Sequence, residues 1–239
     1  MVQYSIFSTN YKSSKGRVFY EKDDPNRTCF MRDRDRIIHS SAFRRLKYKT
    51  QVFVHHEEDY FRTRLSHSLE VSQLSRSISK VFNINDDLTE SISLSHDLGH
   101  TPFGHAGEEV LNKKMKGKGG FNHNYQALKI LTVLEKKYLD FDGLNLTFET
   151  LDGILKHNGP ITSVLPNYIQ NFINFFGGEK KSQGSFEAQI AAICDDIAYN
   201  NNDIDDGLYA GLFVIEELNE LEIINDALKK INLKKSKEY

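Results

Sequence analysis

The run His96-Asp97-Leu98-Gly99-His100-Thr101-Pro102-Phe103-Gly104-His105 carries three histidines in ten residues, spaced by glycines and one proline. Glycine frees the backbone and admits a close approach that a Cβ would obstruct, so the run reads as a helix end opening onto a ligand-lined loop. Just upstream, Leu88, Ile92 and Ser95 recur at helical spacing. His96 falls four residues after Ile92, on the same stripe, with Asp97 beside it. Working outward, Val71, Leu74, Ile78 and Val81 give the segment from Phe61 to Phe82 a helical pattern, and His67 lies four residues before Val71 on its inward face. Downstream, the segment from Phe186 to Tyr199 is apolar and helical. Asp195 sits there on a stripe of small residues, Ala188, Ala191 and Ala198, with Tyr199 and Asp203 following at four and eight residues.

A single histidine on an apolar face usually reads as a core residue whose hydrogen bonds are satisfied. Two histidines and two aspartates turned inward from three helices call for more, because buried charge is costly unless it is paired or bound to metal. His67, His96, Asp97 and Asp195 are therefore candidate metal ligands. Imidazole nitrogen with carboxylate oxygen suits Mn²⁺, Fe²⁺, Co²⁺, Ni²⁺ or Zn²⁺, and Mg²⁺ less well because of the nitrogens. His105, able to take or give a proton near neutral pH, is a candidate acid or base. Glu108, three residues on, is spaced to hold its other nitrogen or to orient an attacking water.

The remaining chain reads as helices and loops: an all-α fold, one domain, with short β segments at most. Further helices are expected over Asn124 to Tyr138 and Leu146 to Lys156, the latter stopped by His157-Asn158-Gly159-Pro160. Lys113 to Phe121 and Glu179 to Gly184 read as loops, Lys49 to His55 as a brief β segment, and Lys229 to Tyr239 as a lysine-rich fraying tail. The expected organisation is an N-terminal segment over 1–60 packed on a core over 61–208, then a short C-terminal helix and tail over 209–239. With 39% hydrophobic and 27% charged residues in 239, the composition excludes wholesale disorder. No apolar run approaches the ~18 residues of a membrane span. No secretory signal is visible, and Cys29 and Cys194 form no Cys-x-x-Cys pair, so a reduced, cytoplasmic protein is expected. The net charge of −2 conceals a basic stretch, Arg32 to Lys49, that reads as a solvated face or as a polyphosphate or nucleic-acid contact.

An ordered set of motifs then resembles the deoxyguanosinetriphosphate triphosphohydrolase-like family of the HD superfamily. The matching segments are Arg32-Asp33-Arg34-Asp35-Arg36-Ile37-Ile38-His39-Ser40, Phe43-Arg44-Arg45-Leu46-Lys47 with Gln51-Val52-Phe53, and Arg64-Leu65-Ser66-His67-Ser68-Leu69-Glu70-Val71. Further along come His96 to Glu108, Phe121-Asn122-His123-Asn124 with Gln126, and Asp195-Asp196-Ile197-Ala198-Tyr199 with Asp203 to Asp206. The resemblance implies metal-dependent hydrolysis of a deoxynucleoside triphosphate to the deoxynucleoside and inorganic triphosphate, by attack at the α-phosphorus. It implies His67, His96, Asp97 and Asp195 as ligands, His105 with Glu108 as a catalytic pair, and His123 as a further histidine close to the phosphates. Arg64, His100, Tyr199 and Asp203 match positions that hold triphosphate and sugar, and Arg45 and Gln51 the segment lining the sugar and base pocket. A homo-oligomer is expected, and members of the family extend further beyond the last metal aspartate.

Three other readings stand beside this one. Another HD phosphohydrolase, such as a 5′-nucleotidase or a cyclic-nucleotide phosphodiesterase, would use the same ligands, and a second metal would draw on His55, His56, His123 or His157. A nucleotide- and metal-binding regulatory module would keep the ligands without turnover. A nucleic-acid-binding protein would use the basic stretch, although few aromatics interleave it to stack bases.

Overall fold

The computed structural model describes residues 4–53, 60–162 and 165–230. Among them the helices are α1 (Cys29–Ile38), α2 (Ser41–Arg45), α3 (Arg64–Phe82), α4 (Asp86–Ser95), α5 (Gly104–Lys114), α6 (His123–Lys129), α7 (Phe148–Leu155), α8 (Asn167–Phe176), α9 (Phe186–Tyr209) and α10 (Glu222–Lys230). A 3₁₀ turn, His96–Gly99, continues α4, and a π turn, Ile130–Leu134, continues α6. No strand forms among the described residues; Thr50 makes one isolated bridge to Thr63, while the rest of the expected β segment, from Val54, lies outside them. The fold is all-α, as expected. The chain divides into two compact units, 1–199 and 200–239. The second contains the end of α9 and all of α10; residues 231–239, most of the lysine-rich tail, lie outside the described residues.

Within the first unit, α4 is the central element, packed by α1, α3 and α7 and buried along its whole length from Leu88 to Ser95. Its serines explain how it can be buried. Ser75 and Ser93 share a 2.8 Å hydrogen bond, and Ser79 donates to Thr89 at 2.9 Å, so small polar side chains satisfy one another between α3 and α4. The inward face of α3 is therefore His67, Ser68, Val71, Ser72, Ser75 and Ser79. Val71 is buried and Leu74 and Ile78 pack half-buried beside it, but Val81, expected on that face, is 78% exposed, and four serines fill much of the buried stripe. The main apolar cluster gathers Leu94 and Leu98 with Leu128, Leu131, Leu151 and Ile154, tying the His96–Gly99 turn to α6 and α7.

The basic stretch is largely consumed inside the fold. Arg34 pairs with Asp35, Asp87 and Glu90. Buried Arg36 takes Glu21 at 2.6 Å and donates to the Leu144 carbonyl at 2.8 Å. Buried Asp33 accepts from the Thr147 N–H, and from the hydroxyls of Thr147 and Thr150, fixing the start of α7 to α1. These arginines join the N-terminal segment to the helical core, while Arg44, Arg45 and Lys47 remain exposed.

Candidate metal centre and histidine cluster

The first turn of α3 is set by a reciprocal cap: Thr63 Oγ accepts from the Ser66 N–H and Ser66 Oγ accepts from the Thr63 N–H. That turn directs Arg64 and His67 inward. His67 Nε2 lies 2.8 Å from Asp195 Oδ1. His96 Nε2 lies 3.4 Å from the same oxygen and 3.7 Å from Asp97 Oδ1. Asp97 in turn accepts from Arg64 Nη1 with both oxygens, at 2.8 Å each. The four expected ligands thus converge from α3, the end of α4 and α9.

Two observations fit a divalent cation there. His96 Nδ1 lies 2.6 Å from the Ser93 carbonyl, which takes its hydrogen and turns Nε2 toward the carboxylates. Among the described residues that Nε2 is buried without a hydrogen-bond partner, its 3.4 Å approach to Asp195 being an ion-pair contact only. Charge gives the second. Burial opposes a proton on His96, yet the Asp195 and Asp97 carboxylates outweigh it and raise its pKa to about 9. Against the same cost of burial, His96 and Arg64 hold Asp97 well below the usual carboxylate range. His96, His157 and His67 do so for Asp195. The pocket demands positive charge, and its two nitrogens and two oxygens suit the transition metals named above.

Beside this centre a second group forms around the loop His100–Gly104. Phe103, at φ +64°, and Gly104, at φ +56°, both take the left-handed conformation to turn the chain into α5; for exposed Phe103 this is strained backbone. Glu108, on α5, accepts from the His123 backbone N–H and from His123 Nδ1, each at 2.8 Å. His105 Nδ1 approaches the same carboxylate at 3.5 Å from a side chain that is 78% exposed. The His100 ring stacks on His123 at 4.8 Å and meets His105 edge-on at 5.1 Å. Burial, then the neighbouring Arg64 guanidinium, push the His100 pKa down to about 3. Burial works against ionised Glu108, but the hydrogen bonds and charge of His123 hold it down at about 2. Arg64, bonded to Asp97 and close enough to depress His100, joins the two groups.

Gly104 frees the backbone as expected, while Gly99 and Gly107 make room for neighbouring backbone. A Cβ on Gly99 would stand 2.0 Å from the His123 carbonyl oxygen and 2.4 Å from the Ala127 nitrogen. Gly99 therefore admits the backbone of α6, and with it His123, rather than a ligand. Gly107 similarly admits the Pro102 carbonyl, at 2.0 Å from its would-be Cβ.

The remaining sequence-assigned residues are more dispersed. Gln51 is buried, with Oε1 unpartnered among the described residues, and its backbone N–H bonds the Arg62 carbonyl at 3.3 Å. Exposed Arg45 lines a cavity of about 470 Å³ with Lys49, Leu98 and Gln126; Lys49 Nζ donates to the His100 carbonyl at 2.9 Å. Tyr199 is exposed on α9, and Asp203, further along that helix, belongs to the second unit. In the sequence His157 reads only as part of a helix terminator or a spare second-metal ligand, yet its Nε2 lies 3.1 Å from Asp195 Oδ2. Its separation of 38 residues from Asp195 left no local signal to find it by.

Comparison with known proteins agrees with this geometry. Residues 64–200, from Arg64 through α9 beyond Asp195, match the HD domain family. The chain is 55% identical over 231 residues to a deoxyguanosinetriphosphate triphosphohydrolase-like protein of Parvibaculum lavamentivorans, covering 94% of the chain and 58% of the relative. It is 56% identical over 230 residues to one of Pelagibacter ubique, covering 92% and 61%. For one of Bradyrhizobium sp. the identity is 53% over 226 residues, covering 95% and 58%. The chain thus spans about three fifths of the length of these curated relatives. No helix among the described residues is long and apolar enough to cross a membrane. The match over its helical core, coinciding with the convergence of His67, His96, Asp97 and Asp195, makes the chain a member of the HD domain family.

Proposed function

We propose that this chain carries the catalytic centre of a metal-dependent phosphohydrolase that cuts a deoxynucleoside triphosphate into deoxynucleoside and inorganic triphosphate. The observation that carries the proposal is the adjacency of two groups across Arg64: a carboxylate-imidazole centre with a buried, unpartnered His96 Nε2, and a histidine cluster backed by Glu108. The names of the relatives, all triphosphohydrolase-like, favour this substrate class over other HD chemistries.

His67, His96, Asp97 and Asp195 would hold the cation, which supplies Lewis-acid polarisation of a phosphate oxygen and lowers the pKa of water. Arg64 and uncharged His100 would donate to phosphate oxygens as charge gathers there. Water adds to the α-phosphorus, the bond from phosphorus to the 5′ oxygen breaks, and that oxygen takes up a proton. His123 is the better-oriented proton carrier, because Glu108 fixes both its backbone and its Nδ1 and leaves Nε2 as the working atom. His105, exposed and more loosely held, would contact the phosphates. Gln51, its buried Oε1 unpartnered among the described residues, and Arg45 are the candidates on the nucleoside side, with Tyr199 on the sugar.

The test is a product assay on the purified chain with each deoxynucleoside triphosphate and Mn²⁺ or Mg²⁺, resolving nucleosides and phosphates by ion-pair chromatography. Deoxynucleoside with intact triphosphate, absent from the His123→Ala variant, is the expected result. Nucleoside monophosphate or orthophosphate would move the chain to another HD reaction, and metal binding without any product would make it a binding module.

A further inference from the structure

His157 sits in the turn that ends α7, buried, with its ring stacked on His96 at a centroid distance of 5.0 Å and 24° between planes. Its place is built: the His157 N–H bonds the Ile154 carbonyl at 3.3 Å, and neighbouring Asn158 accepts from Asn124 Nδ2 at 2.7 Å. Asp195 uses its two oxygens differently. Oδ1 faces His67 Nε2 at 2.8 Å and His96 Nε2 at 3.4 Å, while Oδ2 faces His157 Nε2 at 3.1 Å. Among the described residues His157 Nδ1 is buried without a partner, so the ring's one strong hydrogen bond there is with Asp195.

We propose that His157 is a positioning residue for the metal centre: its Nε2–H donates to Asp195 Oδ2, leaving Oδ1 as the single oxygen that carboxylate presents to the cation. The inference rests on the metal-centre reading above and adds a residue to it. A carboxylate free to rotate would offer either oxygen or both. One anchored through Oδ2 holds Oδ1 beside His67 and His96 before any ligand arrives, and such outer partners typically alter metal affinity by about 10–100-fold. The His96 ring stacked against His157 makes the same residue a wall that keeps His96 aligned.

The experiment is titration of the metal-free full chain with Co²⁺, following affinity by calorimetry and the ligand field by visible absorption. Three variants are compared, each first shown by circular dichroism to be folded. His157→Phe keeps the ring and removes the donor; its Co²⁺ dissociation constant should rise about 10–100-fold with the band shape retained. His157→Gln restores an N–H near the Nε2 position and should recover most of that loss. His157→Ala should resemble the Phe variant. Unchanged affinity in His157→Phe would overturn the assignment. So would a changed band shape in both Phe and Gln variants, which would mean that His157 itself binds the cation. Wild-type chain that takes up no Co²⁺ would instead remove the centre, and the assignment with it.

Discussion

Glu108 accepts two hydrogen bonds from His123, one from its backbone N–H and one from Nδ1, both at 2.8 Å. The pair couples α5 to the start of α6, and the same carboxylate lies 3.5 Å from His105. Replacing Glu108 by Gln keeps one acceptor but removes the charge and one of the two carboxylate oxygens that orient His123. The expected result is a fall in kcat on the order of 10²–10⁴-fold with a small change in KM, measured by steady-state release of deoxynucleoside. A larger effect of His105→Ala than of His123→Ala in the same assay would reverse the roles proposed for the two histidines.

Arg64 donates from the single Nη1 to both oxygens of Asp97, and both side chains are almost fully buried, at 6% and 5% exposure. Arg64→Ala leaves the Asp97 carboxylate in the interior without its strongest donor. Urea unfolding in EDTA should show a loss of about 3 kcal/mol, the lower end for breaking a buried pair. Adding Mn²⁺ should narrow the difference, because the cation takes over the compensation of Asp97; an undiminished difference would argue that Asp97 is no ligand.

His100 carries a pKa pushed from its ordinary 6.5 down to about 3, by burial first and then by Arg64. Below pH 6.5 the unfolded chain therefore binds a proton that the folded chain refuses. The sign follows: the stability linked to this group is fully present above pH 6.5 and is lost as pH falls toward 3. Urea midpoints of the metal-free chain, measured between those limits, should fall less steeply in His100→Gln than in wild type. Parallel slopes would contradict the refusal of the proton.

Gly99→Ala tests the approach of α6 to the metal turn. The new Cβ would meet backbone atoms at 2.0 and 2.4 Å, and backbone cannot swing aside as a side chain can. A loss of roughly 1–3 kcal/mol is expected from thermal or urea unfolding. Activity should drop further than stability accounts for, because His123 moves with α6.

Residues His67, His96 and Asp195 were legible as inward-facing because each lies at helical spacing from apolar or small residues nearby, with Asp97 read only as the neighbour of His96, and a helix's period is a local property. The all-α class followed from the same periodicity, and the family resemblance from motifs carried in order along the chain. Helix limits were read less well: the helix expected from Phe61 starts at Arg64, since Thr63 caps it, and α9 runs on to Tyr209 through a polar stretch with no apolar period. The exposure of Val81 was equally hidden, because serines that satisfy one another across two helices look like a polar face in one sequence. Only the folded chain decides that the arginines of α1 bind Glu21, Asp87 and Glu90, that Glu108 belongs first to His123, and that His157 reaches Asp195. These are pairings between side chains distant along the chain. Their energy depends on separation and burial in space, which no periodicity along one helix encodes.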